Sequence, residues 1–182
     1  GLGSDCGFAV LPECLCVLNS AYFPCTLVVT EMYRELKLSF GQGTPQRRNI
    51  RAMLHNAAAV ANTCIGDMAR GAPEAQGMGA TVIAPVFMGD QLTWISVGDS
   101  PLYLFRQGHL VQINEDHSMA PRIDLMVQSG LMSADIGRIH PDRNCLTSVL
   151  AGGEIARIDC PDDPMQLYEG DIIIAASDGL QH

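Results

Sequence analysis

The sequence predicts an α+β domain, an antiparallel β-sandwich flanked by helices on its outer faces. Three observations predict it. Apolar residues recur at helical spacing before residue 70, short β-rich runs joined by tight turns follow from residue 81, and further helical stretches then precede a last group of strand-like runs. Turns that tight join antiparallel neighbours, so the runs read as a meander and not as a parallel α/β sheet.

Each element has its own local reason. A short helix is predicted over Leu27 to Leu36, where Leu27, Val28, Met32 and Leu36 share one face. A longer one over Pro45 to Ala69 carries Ile50, Met53, Leu54, Ala57, Ala58, Ala61 and Ile65 in a stripe; Thr44 and Pro45 suit its start, and Gly71 with Pro73 its end. Four strands are predicted over Thr81 to Met88, Gln91 to Val97, Leu102 to Arg106 and His109 to Ile113, broken by Gly89-Asp90, Gly98-Asp99-Ser100 and Gln107-Gly108. A helix over Pro121 to Gln128 stops at Gly130, and Ser133 to Gly137 adds another turn. Strands resume over Leu146 to Leu150, Ile155 to Asp159 and Asp171 to Ala176.

The 182 residues, 47% apolar and 17% charged, suit one domain with a real core. A formal charge of −9 leaves no basic field for a nucleic acid, so such a partner is excluded on charge. Seven cysteines without paired C-x-x-C spacing signal neither a zinc site nor a disulfide framework, and they fit a reducing cytoplasm. The apolar stretches are too short and interrupted for a membrane span.

Acids at strand ends are the candidate chemistry. Ile172 to Ala176 form an apolar run that delivers Ser177-Asp178-Gly179, placing a carboxylate at the mouth of what reads as a fully buried strand. Such an acid either closes an Asx turn or ligates a cation, with Gly179 allowing close backbone approach. Gly98-Asp99-Ser100 has the same form after Ile95, Ser96 and Val97. Two acids at the ends of two core strands can converge on one edge of a sandwich, and hard divalent cations prefer carboxylate oxygens drawn from separate elements. Asp116-His117-Ser118 reads as helix capping with a satisfied surface histidine. His140, in a polar loop, is a general-acid candidate without a sequential partner.

Four ordered segments resemble the type 2C metal-dependent serine/threonine protein phosphatase family over nearly the whole chain. Gly77-Met78-Gly79-Ala80-Thr81 is similar to its G-x-G-x-T motif, and Trp94 to Ser100 followed by Leu102 to Arg106 resembles its V-G-D-S strand and hairpin. Gln107-Gly108 through Asp116-His117-Ser118 resembles its R-x-G-x-L and D-H-S stretch, and Asp171 to Leu180 its G-D and S-D-G-L signature. The resemblance implies a site of two or three manganese or magnesium ions whose activated water attacks phosphoserine or phosphothreonine in protein substrates. It implies metal ligation by Asp5, Asp99, Asp178 and Gly179, with Asp99 and Asp178 the catalytic pair, in a cytoplasmic monomer.

The N-terminal part departs from that pattern. Asn19-Ser20 stands where the family carries the Asp-Gly of V-A-D-G-M-G-G-H, and the stretch from residue 19 to 26 is short. An amide there keeps an oxygen but loses the charge a metal-bridging ligand needs. The family's closing helices, last strand and Asp-Asn pair are expected beyond His182, so residues 1 to 182 read as one phosphatase-like domain cut at its C-terminus. The alternative reading is a catalytically inactive pseudophosphatase that binds phosphoproteins.

Overall fold

The computed structural model describes residues 6–15, 22–41, 47–71 and 77–177. In chain order the elements are β1 (Cys6–Phe8), β2 (Leu11–Leu15), α1 (Tyr22–Gly41), α2 (Arg47–Gly71), β3 (Gly79–Met88), β4 (Gln91–Val97), β5 (Leu102–Arg106), β6 (His109–Gln112), α3 (Ala120–Gln128), α4 (Ala134–Arg138), β7 (Met165–Gln166) and β8 (Ile172–Ala175). The predicted cap at Thr44 and Pro45 and the predicted stop at Pro73 lie outside the described residues.

Two antiparallel sheets result. In the first, β1 and β2 share one edge of β3 in succession, β4 takes the other edge, and β7 follows β4. The second runs β6-β5-β8. Side chains alternate along β3: Ala80, Val82, Ala84 and Val86 meet α1 and α2, while Ile83 and Phe87 point toward the second sheet. Because both faces of β3 are covered, its sequence is apolar almost throughout.

The helical stripe read from the sequence is the one that packs. Ile50, Leu54, Ala57, Ala58, Ala61 and Ile65 of α2 join Val28, Met32 and Leu36 of α1 against the first sheet. Between the sheets, Ile83, Leu92, Trp94 and Leu102 form the second core, with Ile113, Ile173 and Ala175 packed on it. Each fully buried Leu or Ile contributes about 1.5–3 kcal/mol.

Three expectations change. The four runs are not one meander: β3 and β4 pair, β5 and β6 pair, but β4 and β5 do not, because the turn at residues 98–101 carries the chain from one sheet to the other. The runs at 146–150 and 155–159 are not strands; their strand-like pairing with the rest is limited to single bridges, Leu146 to Ser118, Leu150 to Ala80 and Asp159 to Ser96. Side chains there take the backbone groups a ladder would need. Ser148 Oγ accepts the Arg157 N–H and donates to the Arg157 carbonyl, while buried Asn62 of α2 binds the N–H groups of Ala151 and Gly152 and the carbonyl of Gly153. Finally, β8 is half-buried: Ile173 faces the core, whereas Ile172 and Ile174 are 52% and 37% exposed. Among the described residues, long helices cover the outer face of the first sheet only.

At the far end of β5, Arg106 donates to both carboxylate oxygens of Asp171, at 2.9 and 2.6 Å, and lies over the Tyr168 ring. Asp171 also accepts the Tyr168 N–H at 2.8 Å. These bonds, the guanidinium's first, pull its carboxyl down to about 2.

Candidate functional site

Of the predicted ligands, Asp99 falls within the described residues. Asp5, Asp178, Gly179, Asn19 and Ser20 lie outside them. Asp99 stands on the turn that crosses between the sheets, and the sequence fixes that turn through four buried neighbours. Gly98 has φ 109°, and a Cβ on it would come within 2.4 Å of Thr81 Cγ2, so the turn needs glycine both for its dihedral and for its contact with β3. Thr81 Oγ1 and Ser100 Oγ are hydrogen-bonded at 2.9 Å.

Asn114 and His117 complete the fixation. The Asn114 amide accepts the Leu102 N–H at 2.7 Å and donates to Ser96 Oγ at 2.9 Å and to the Ser100 carbonyl at 3.0 Å. His117 takes both backbone groups of Gly98: its N–H donates to the Gly98 carbonyl at 3.0 Å, and its Nδ1 accepts the Gly98 N–H at 3.2 Å. Polar groups on both sides of Asp99 are therefore satisfied within low-dielectric surroundings, where such networks are stiff.

Asp99 lines a cleft of about 550 Å³ together with Asn114, Asp116, Asp124, Arg143 and Asn144. Asp116 Oδ1 accepts the Ser118 N–H, and Ser118 Oγ accepts that of Ala120, which starts α3. Arg143 grips Asp124 with two bonds of 2.7 and 3.0 Å, holding that carboxyl below its usual range. Three carboxylates thus share the cleft with one guanidinium that is already paired. The local field favours a cation.

The register of the second sheet brings the end of β8 alongside this turn. Ala175 pairs with Leu102, and the Ala176 N–H donates to the Pro101 carbonyl at 3.1 Å, two residues after Asp99. Among the described residues no three His, Cys, Asp or Glu side chains are grouped to hold a metal. The donor set there fits one carboxylate contact to a hard cation, with the rest of its shell coming from elsewhere.

Two histidines differ in outcome. His117, expected at the surface, is fully buried; the clue in the sequence was only its place in D-H-S. His140 Nδ1 accepts the Asp142 N–H at 3.2 Å and shapes its own turn, and it is not among the residues lining the cleft. Asn114 and the Asp124–Arg143 pair were not legible, since each works through partners 12 to 19 residues distant.

No family model matches the chain. Among curated proteins it is 31% identical over 133 residues to the serine/threonine protein phosphatase PstP of Mycobacterium tuberculosis, covering 72% of this chain and 24% of PstP. It is 28% identical over 156 residues to a putative protein phosphatase 2C-type of Streptococcus pyogenes, covering 85% and 59%. The chain thus spans from about a quarter to under two thirds of these relatives. Its fold matches the S. agalactiae serine/threonine phosphatase with a TM-score of 0.81 at 22% identity, over 98% of this chain and 70% of that one. It also matches the catalytic domain of PstP in complex with two manganese ions, with a TM-score of 0.73 at 21% identity, over 99% and 73%. The shared fold, with helices on an antiparallel two-sheet core, and the shared sequence agree: the chain belongs to the type 2C family of serine/threonine protein phosphatases.

Proposed function

We propose that this chain hydrolyses phosphoserine or phosphothreonine in proteins with the help of manganese or magnesium, as part of a type 2C phosphatase. The observation that carries this reading is Asp99, held on a buried, fully bonded turn at the wall of an acidic cleft, with the chain that leads to Asp178 bonded alongside. Asp5, Asp99, Asp178 and Gly179 would hold the ions. The chemistry that bound divalent ions supply is acidification of the attacking water and neutralisation of the phosphoryl oxygens.

The chain's own residues prepare that chemistry. Asp99, Asp116 and Asp124 outweigh Arg143, so the cleft's own side chains attract a cation and oppose a phosphate. The turn is pre-bonded, so Asp99 has little freedom to lose when a cation arrives. The protein partners are phosphorylated substrates selected by surface loops. The thiols of Cys64, Cys145 and Cys160 are free, which supports a reducing, cytoplasmic setting. Among the described residues no helix is long and apolar enough to cross a membrane.

The test is manganese-dependent hydrolysis of a small aryl phosphate and of a phosphothreonine peptide, with Asp99→Asn, Asp178→Asn and Asn19→Asp compared. Metal-dependent turnover that falls in the first two and rises in the third is expected. Phosphopeptide binding without turnover in every variant would overturn hydrolysis in favour of the binding module.

A further inference from the structure

His117 has more bonds to the Asp99 turn than an ordinary core residue requires. It is fully buried, yet its side chain meets no apolar role that leucine or phenylalanine would not fill better. Instead its backbone N–H and its Nδ1 close on the carbonyl and N–H of Gly98, the residue bonded to Asp99. Its own carbonyl accepts both the N–H and the Oγ1 of Thr147, at 2.7 and 2.9 Å. The residue is thereby tied to the segment on its other side as well.

An imidazole that accepts through Nδ1 must, when neutral, carry its proton on Nε2. That nitrogen faces Glu115 Oε2 at 3.5 Å, and the same carboxylate oxygen accepts from Arg157 at 2.9 Å. Glu115 and Arg157 thus stand on the Nε2 side of the imidazole, with no hydrogen bond from Nε2 to the carboxylate, and the Gly98 amide is bonded on its Nδ1 side. Burial, and then the charge of Arg157, hold the imidazole pKa below its usual value against the opposing pull of Glu115 and Asp159. The acceptor state of Nδ1 is the one favoured at neutral pH.

We infer that His117 is a positioning residue for Asp99: its Nδ1, unprotonated because the proton sits on Nε2, clamps the Gly98 amide and so sets the carboxylate where a divalent cation can reach it. The inference rests on the proposed metal role of Asp99. It does not make His117 a ligand or a proton carrier. Outer partners that orient a ligand alter metal affinity about 10–100-fold when removed, and that is the size of effect expected here.

The test uses the chain as it stands, with manganese as the probe. Nitrogen NMR of the labelled imidazole should show an unprotonated Nδ1 and a protonated Nε2; the opposite tautomer overturns the inference without any variant. His117→Ala should raise the manganese dissociation constant about 10–100-fold and speed exchange of the Gly98 amide. His117→Asn, whose Oδ1 occupies the place of Nδ1, should restore both, a rescue that mere filling of space does not predict. If Asp99→Asn weakens manganese binding while His117→Ala leaves affinity and Gly98 exchange at wild-type levels, the positioning role fails and the metal role of Asp99 survives. If Asp99→Asn has no effect on manganese, the metal role fails, and with it the reason for the clamp.

Discussion

Replacing Gly98 with alanine tests whether the turn between the sheets is as constrained as its geometry implies. At φ 109° an L-residue is strained by about 1–2 kcal/mol, the cost of left-handed backbone for a side chain with Cβ. The new methyl would also lie 2.4 Å from Thr81 Cγ2 and 2.5 Å from Thr81 Cβ. Thr81 cannot swing away, because it is buried in β3 and its Oγ1 is bonded to Ser100. Overpacking of that kind costs typically about 1–3 kcal/mol. A stiffer unfolded chain returns about 0.4–1 kcal/mol. The expected net loss is therefore about 1–4.5 kcal/mol, a sizeable share of the roughly 5–15 kcal/mol of an ordinary domain. Urea titration followed by tryptophan fluorescence measures it, since the single tryptophan, Trp94, sits four residues before the turn. A loss under about 0.5 kcal/mol, within the range of ordinary surface changes, would refute the argument that Gly98 is held by its contact with Thr81.

Other expectations follow from the same contacts. Asn114→Ala leaves the buried Leu102 N–H and Ser100 carbonyl without their partner, so a loss of about 2 kcal/mol or more is expected in the same titration. Gly152→Ala should be worse than Gly66→Ala: a Cβ on Gly152 would lie 2.1 Å from the Gly66 backbone at φ 83°, against 2.7 Å for the reverse, and comparative melting checks the order. The folded-state pKa of Asp171 is about 2, below its ordinary 3.8, so its contribution to stability is full above about pH 4 and lost as pH falls through about 2. Asp171→Asn should flatten the urea midpoint over that window while leaving its slope near pH 7 unchanged. Chelation of divalent ions should abolish aryl phosphate hydrolysis, and excess manganese should restore it.

How far the sequence could be read depended on the range of each interaction. The α2 stripe was legible because its period lies within the helix, and β3, β4 and β5 were legible because each is followed at once by a turn residue of positive φ, Gly89, Gly98 and Gln107. Their assignment to two sheets was not, because the tight turn at 98–101 looks like a hairpin until the contact of Gly98 with Thr81 is known. The runs at 146–150 and 155–159 were read as strands, but Ser148 takes both backbone groups of Arg157, and Asn62, 89 residues away in sequence from Ala151, holds the turn between the two runs. At the candidate site, Asp99 was singled out from its position after a strand. Of the groups that fix it, Asn114 carried no local signal and His117 only its place in D-H-S, because a polar residue before a helix reads as surface unless its distant partners are visible.

The crossing of the chain from one sheet to the other has a mechanical side. Residues 98 to 101 are anchored by Thr81 in one layer, by Leu102 at the start of the other, and by Asn114 reaching into both. A load placed on the carboxylate of Asp99 is carried into both layers at once, like a bolt passed through two plates. The turn thus ties the two layers together at one point beside the core they share.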